Sequence, residues 1–498
     1  MNWELLLDED ALASLLTGEY AQFARPVKEG LVVFLNGLPQ AIQETILAEQ
    51  AALPADATVA QRLGRLARSC PVLHKLGQIL ARDRRLAPEL RYQFRQLESL
   101  PPTVSLEVIR DILSRELGPF DRRGITLLPP AIAEASVAVV IPFRQAAGPQ
   151  ARDGVFKILK PGIEERLHLE LELLGRVGSH LDQQCDELQI PQMDYREAFE
   201  QVRHKLAGEV LLEQEQRHLI EAKAFYAGQP DVQIPTVFNH CTPRVTAMER
   251  VVGEKVTEHL LHCPREKRRL ANLVSRALVA LPMFSRSSRS LFHCDPHAGN
   301  LVHTNDGRLA ILDWSLVGYL GEAERVAMVQ IFLGALTLQT EKIVAVLEGL
   351  AERKSVNLPV LAQIVADWLR RIRHGQFPGL TWLVGMMDQA AQTAGLRVST
   401  DMVLFRKSLL TLEGVVGEIG AEGHWIDDVV LSDFISHFSG EMLSRWVSRS
   451  ASREFATRLS NADLAEALLS FPLTVLRCWL AECGDILQNR SSPLKVAT

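Results

Sequence analysis

Apolar residues recur every three or four positions through the first 125 residues, the spacing of amphipathic helices. The clearest runs are ATVAQRLGRLARSCPVLHKLGQILARD and PELRYQFRQLESL. Pro101 and Pro102 then stop the pattern, and Ser105 is placed to cap the next helix. The period changes after residue 125. ASVAVVIPFR and GVFKIL are short β-rich runs, and QAAGPQARDG between them has the composition of a turn, so an antiparallel hairpin is expected. Two long helical runs follow, EERLHLELELLGRVGSHL and REAFEQVRHKLAGEVLLEQEQRHLIEAKAFYAG. Two strand candidates in VQIPTVFNHCTPRVTAMERV then close a small α/β lobe near residue 250. From PREKRRLANLVSRALVAL onward the pattern is helical, interrupted by the strand pair NLVHT and LAILDW. The run VAMVQIFLGALTLQT is too short to span a bilayer and reads as a buried helix.

The interruption carries the chemistry. In LFHCDPHAGNLVHTNDGRLAILDWSLVGYL, the NDGR turn should fold LVHT back on LAIL. That fold brings Asn300, before the first strand, close to Asp313, after the second, with Asp295 on the loop leading in. Carboxylates among apolar residues are costly unless they bind something. Two carboxylates and an amide oxygen are hard ligands suited to Mg²⁺, and such an ion would carry nucleotide phosphates. A phosphate site also needs a fixed cation. Lys157 lies in the apolar strand VFKIL, and GEVLLEQEQ offers Glu209 or Glu215 as its partner, with nothing in the pattern to choose between them. Strand lysine, helix glutamate, D-x-x-x-x-N and a later aspartate, in that order, match the protein-kinase set. No glycine-rich loop precedes Lys157; an alanine-rich stretch from Ala133 to Ala138 stands there instead. His293, Cys294 and His297 suggest a metal site, but His293 reads as a packing residue of the loop. GRVGSH follows a helical run, not a strand, and is no dinucleotide motif.

Together these segments resemble the UbiB/AarF family of atypical protein-kinase-like proteins, associated with isoprenoid quinone biosynthesis. The resemblance covers about residues 65–350. HKLGQILARDRRLAPELRYQFRQLESLPP looks like the family's K-x-G-Q helix, with Lys75, Gly77 and Gln78 in place. FKILKPGIEER, EVLLEQE, HCDPHAGN and LDW resemble its strand lysine, E-x-D segment, catalytic loop and metal loop. The resemblance implies an α+β, protein-kinase-like bilobal fold. A helical N-terminal extension would occupy 1–125, a small lobe with a five-stranded sheet 126–250, and a mostly helical lobe carrying the catalytic and metal loops 251–498. It implies ATP and Mg²⁺ as cofactors. Lys157 would contact the phosphates and Asn300 and Asp313 the metal, while Asp295 would orient or deprotonate an acceptor hydroxyl or a water. Ala133, Ala135, Ser136 and Ala138, with Lys75 and Gln78, would border the nucleotide, and the backbone from Glu249 to Val251 would meet adenine. The K-x-G-Q helix would block a protein substrate, so ATPase or small-molecule phosphoryl transfer is implied.

Three departures bear on turnover. Leu211 stands where the family has the aspartate of E-x-D, Glu134 would put a negative charge near the phosphates, and Trp314-Ser315 replace the last two residues of D-F-G. These leave a pseudokinase or ATP-gated scaffold as an alternative. A small-molecule kinase of the aminoglycoside or choline type is another, though that group lacks the K-x-G-Q helix.

Composition narrows the rest. A net charge of −6 gives no electrostatic footprint for nucleic acid. Seven scattered cysteines without a C-x-x-C pair argue against zinc and disulfides. With no signal peptide or membrane span expected, the reading is cytoplasmic, with peripheral membrane contact through RDRR and PREKRR left open. The expected partners are nucleotide, an unidentified small-molecule or lipid acceptor, and a quinone-biosynthesis complex at the membrane surface.

Overall fold

The computed structural model describes residues 3, 7–81, 83, 85–98, 101–147, 150–190, 194–258, 263–352, 356–421 and 425–470. Its chain divides into two compact units, one of residues 1–255 with 298–316, the other of 256–297 with 317–498. Within RDRR, Arg82 and Arg84 lie outside the described residues, as does the C-terminal QNRSSPLKVAT.

The first unit opens with helices α1 (Glu9–Ser14), α2 (Ala24–Gly37), α3 (Gln40–Ala51), α4 (Val59–Ser69), α5 (Pro71–Leu80), α6 (Pro88–Arg95) and α7 (Leu106–Leu117). The run that starts at residue 57 forms two helices, α4 and α5. Cys70 is extended and Pro71 takes the first helical position of α5, because a proline cannot supply the N–H that a continuous helix needs. Thr58 and Gln61 form a capping box on α4, and Ser105 caps α7 through the Val108 N–H. A five-stranded antiparallel sheet follows, built from β1 (Ile125–Leu127), β2 (Ala133–Glu134), β3 (Ala138–Ala147), β4 (Gln150–Leu159) and a later strand. Strands β3 and β4 pair over ten residues each, so most of the stretch expected as a turn is strand. Val139, Ile141, Phe143, Phe156 and Ile158 bury one face of this sheet against Ile109, Ile112 and Leu113 of α7.

Three helices come next: α8 (Ile163–Gln183), α9 (Tyr195–Ala207) and α10 (Leu212–Phe225). GRVGSH lies inside α8, as its helical surroundings required. The run from residue 196 breaks between α9 and α10 at a short 3₁₀ turn, Gly208–Val210. Of the two strands then expected, only β6 (Val245–Glu249) joins the sheet, beside β4; β5 (Val232–Gln233) pairs elsewhere. It heads a second sheet with β7 (Gly253–Lys255), which ends the unit's N-terminal part.

The second unit carries α11 (Pro264–Ser275), a π-helical turn, α12 (Leu281–Met283) and β8 (Arg289–His293). Its charged start, Arg265, Glu266, Arg268 and Arg269, is exposed to solvent. The chain then supplies β9 (Leu301–Thr304) and β10 (Leu309–Ile311), which pair antiparallel across the NDGR turn, where Gly307 takes φ +84°. Between β5 and β7 this hairpin completes the second sheet, in the order β5-β10-β9-β7. That pairing is why residues 298–316 belong with the first unit and not with the rest of 251–498. Returning to the second unit, β11 (Val317–Gly321) pairs with β8. Helices α13 (Glu322–Leu336), α14 (Thr340–Leu350), α15 (Leu358–Arg373), α16 (Leu380–Thr393), α17 (Thr400–Ile419) and α18 (Ile426–Trp446) follow. The apolar run after residue 325 is the buried helix α13. Among the described residues no helix is long and apolar enough to cross a membrane.

Candidate functional site

Lys157 is central to β4 and pairs with Val140 and Thr246 across the sheet, on the face away from α7. Its Nζ meets both carboxylate oxygens of Glu215, at 2.7 and 2.8 Å, and lies 3.5 Å from Oδ2 of Asp313. Glu215 sits in the first turn of α10, where the helix dipole favours a carboxylate. Burial opposes the charge on Lys157, yet the carboxylates of Asp313 and Glu215 raise its pKa above the ordinary value. Burial likewise works against ionised Asp313. The Lys157 and Lys75 ammonium groups and the bond from Ser315 override it and hold this carboxyl well below the usual range. Glu215, fully buried, is pushed up by burial against the pull of Lys157.

The alternative left between Glu209 and Glu215 is therefore resolved. Glu215 pairs with Lys157, while Glu209, on the 3₁₀ turn before α10, bonds Lys75 of α5 at 3.0 Å. Lys75 is thus no solvated helix lysine. Its neighbours explain the K-x-G-Q spacing. A Cβ on Gly77 would stand 2.6 Å from Leu97 Cδ1 and 3.1 Å from Phe94 Cδ1, so only glycine lets α5 pack this closely on α6. Gln78 donates its amide to the Leu97 carbonyl at 2.9 Å, which gives it a packing role that its expected place beside nucleotide did not include. His74 Nε2 meets the same carbonyl at 2.9 Å, and burial pushes this histidine down to about 4.

Asn300 ends a 3₁₀ turn, is buried, and accepts at its carbonyl from Leu312 N–H at 2.8 Å, so the hairpin holds it next to Asp313. Asp313 takes φ +51°, a left-handed conformation that aspartate tolerates better than most residues. The unusual backbone thus falls on Asp313, not on Ser315, whose N–H donates to Asp313 Oδ1 at 3.2 Å. Trp314 is fully buried; its indole N–H donates to Ile311 O at 3.1 Å.

Glu134 departs from expectation. Strand pairing sets it opposite Val139, which pairs with Ile158, so it lies on the sheet face opposite Lys157. Its carboxylate accepts from Thr103 and Val104 and bonds Lys160 Nζ at 2.7 Å. The charge is neutralised there and is not directed to where Lys157 points. Leu211 is 52% exposed at the N-terminal cap of α10, where no side chain caps the helix.

The alanine-rich stretch is a tight β2–β3 connection: Ala133 pairs with Val140, Ala135 N–H donates to Ala138 O at 2.8 Å, and Ser136 is buried between them. At the end of β6, the Glu249 carboxylate is committed to Gln233 and Thr236, and Arg250 N–H reaches Asp153 O at 3.4 Å. Val251 follows directly, and the Glu249 N–H is donated to Thr236 O at 2.8 Å.

In the second unit, Asp295 follows β8. Its N–H donates to His293 Nδ1 at 3.1 Å, and its Oδ1 meets Lys407 Nζ of α17 at 3.0 Å. His293 is buried, and its carbonyl accepts from Ser408 Oγ at 2.8 Å, consistent with a packing residue. Cys294 is also buried, and His297 Nε2 lies 4.0 Å from Asp295 Oδ2. Lys407 was absent from the sequence reading, because 112 residues separate it from Asp295 and nothing in its helix distinguishes it.

The mixed sheet-and-helix architecture, with a strand lysine bonded to a helix glutamate beside a hairpin aspartate, defines a protein-kinase-like protein. Residues 97–347 match the ABC1 atypical kinase-like domain, half of the chain. The chain belongs to this family, which is the UbiB/AarF family. It is 29% identical to an uncharacterized aarF domain-containing protein kinase, chloroplastic, of Arabidopsis thaliana, over 60% of this chain and 55% of that protein. It is 24% identical to a probable protein kinase UbiB of Marinobacter nauticus, over 69% of this chain and 64% of the other. A probable protein kinase UbiB of Pasteurella multocida is 25% identical, over 69% and 68%. The chain thus spans between about half and two thirds of the length of these relatives. A Mycobacterium tuberculosis protein solved in complex with erythromycin aligns at 17% identity over 79% of this chain and 87% of that one. Its TM-score is 0.49.

Proposed function

We propose that this protein binds Mg·ATP and transfers or hydrolyses its γ-phosphoryl group, supporting isoprenoid quinone or lipid metabolism without phosphorylating proteins. The observation that carries the reading is the bidentate Lys157–Glu215 pair with Asp313 3.5 Å from the same ammonium. A buried lysine so fixed presents a cation to phosphate, and an aspartate so firmly ionised presents a hard oxygen to a metal. Asp313 offers a carboxylate oxygen and Asn300 an amide oxygen. That donor set fits Mg²⁺, which is commonly held by one or two protein oxygens together with nucleotide phosphates. Asp313 and Asn300 would hold the ion, whose charge would offset that of the phosphates. Lys157 binds phosphate oxygen, and Glu215 keeps its amine in place. Asp295 accepts the proton of the attacking hydroxyl or water as that oxygen bonds to phosphorus and ADP leaves.

The Lys75–Glu209 bond ties the K-x-G-Q helix to the turn before α10. A helix fastened in this way supports a small or lipid acceptor over a peptide. The link to quinone metabolism, and with it a place at the membrane surface, rests on relatives that are named UbiB.

A second reading, an ATP-gated scaffold without turnover, draws on Leu211. The uncapped N-terminus of α10 lacks the carboxylate that E-x-D would bring. One experiment separates the two: Mg·ATP binding and phosphate release measured on the same preparation, with Asp313→Asn as control. Release above that control supports the enzyme. Tight binding with no release above it supports the scaffold, and no binding removes both.

A further inference from the structure

Asp295 is held by an element far from it in sequence. Helix α17 is fixed at three places to the strand pair β8–β11, which leads into Asp295. Ser408 Oγ donates to His293 O at 2.8 Å, Phe405 stands edge-on to Phe292 with ring centroids 5.3 Å apart, and Asp401 accepts from Tyr319 N–H at 3.2 Å. Lys407, beside Ser408, is thereby aimed at the loop, and its Nζ lies 3.0 Å from Asp295 Oδ1. The preceding residue, Arg406, turns to Asp388 instead.

We propose that Lys407 is a positioning residue for Asp295, fixing the rotamer of the carboxylate that accepts the proton of the attacking group. The proposal rests on the reading of Asp295 as the base of phosphoryl transfer. A carboxylate in that role must stay ionised and must hold a set direction, and an ammonium bonded to it does both. A purely structural role is the weaker account. Ser408 and Phe405 already fasten α17 to β8, so the Lys407–Asp295 pair is not needed to hold that helix.

Lys407→Met, Lys407→Arg, Asp295→Asn and the double variant Lys407→Met/Asp295→Asn, made in the full chain, test this. Phosphate release, Mg·ATP affinity and melting temperature are measured for each. Lys407→Met should lower kcat at least about tenfold, with Mg·ATP affinity changed by less than about twofold and melting nearly unmoved. Lys407→Arg should recover most of kcat. The double variant should be no slower than Asp295→Asn alone, because the lysine acts only through the aspartate. Unchanged kcat in Lys407→Met, an equal loss of nucleotide affinity, or multiplying effects in the double variant would each overturn the proposal. Should the unmodified protein release no phosphate above Asp313→Asn, the phosphoryl-transfer reading has failed by itself. Amide exchange over residues 291–297 then tests the tether. Faster exchange in Lys407→Met but not in Lys407→Arg supports it, and unchanged exchange overturns it.

Discussion

Changing Glu215 to glutamine removes one charge from the most deeply buried ion pair of the site. Glu215 is 2% exposed and gives both oxygens to Lys157. Breaking such a pair from one side typically costs 3–5 kcal/mol, because the other charge stays buried without compensation. Asp313, 3.5 Å from the same ammonium, recovers part of this, so a loss of about 3 kcal/mol is expected for Glu215→Gln. For a unit of this size that corresponds to roughly 6–12 °C in its melting transition. Lys157→Met strands a carboxylate instead of an ammonium. Glu215, already raised by burial, should then rise further and take up a proton. A group that binds a proton more tightly when folded loses stability as pH rises, so Lys157→Met should be worse at pH 8 than at pH 6. The double variant Lys157→Met/Glu215→Gln leaves only Asp313 without its ammonium, and its loss should be well below the sum of the two single losses. Calorimetry on the four proteins at both pH values gives the coupling directly. Additive losses, or a Lys157→Met penalty independent of pH, would refute the account of a coupled buried pair.

Other outcomes follow from the same geometry. Gly77→Ala places a methyl 2.6 Å from Leu97 Cδ1, and overpacking of this kind costs about 1–3 kcal/mol; urea unfolding should show the loss, and nucleotide affinity should fall as Lys75 shifts with α5. His74 is held neutral with a pKa depressed from 6.5 to about 4, so its contribution is present above pH 6.5 and is lost as pH falls toward 4; the span corresponds to about 3 kcal/mol, and His74→Gln should flatten that part of the stability profile. Leu211→Asp supplies the missing side-chain cap of α10 and should raise the melting point by the equivalent of about 1 kcal/mol; a fall in stability would argue that the position cannot accept a carboxylate beside Glu209.

The parts of this site that the sequence disclosed are local. Asn300 and Asp313 flank one hairpin whose turn is written in NDGR, and Lys157 interrupts an apolar strand, so short-range pattern suffices for each. What the sequence withheld depends on distant packing or on which way a strand faces. Glu209 and Glu215 are six residues apart, and only the break at Gly208–Val210 sends one to Lys75 and the other to Lys157. The sheet face of Glu134 is set by pairing with Val139, not by its place in the alanine-rich stretch. The hairpin's membership in the first unit depends on β5 and β7, far away in the chain, and the contact of Lys407 with Asp295 on the packing of α17.

The central claim is that Lys157 and Asp313 form one nucleotide–metal site. Calorimetric titration of ATP into the protein, with and without Mg²⁺, tests it most directly when repeated on Lys157→Met and Asp313→Asn. Asparagine keeps the left-handed backbone at position 313 accessible, so its effect reports the charge and not a collapsed turn. The account predicts Mg²⁺-dependent binding that Asp313→Asn makes indifferent to Mg²⁺ and that Lys157→Met weakens at least about tenfold, the effect of a lost charge-assisted bond. ATP binding that neither substitution alters, or that Mg²⁺ leaves unchanged in the unmodified protein, would contradict it.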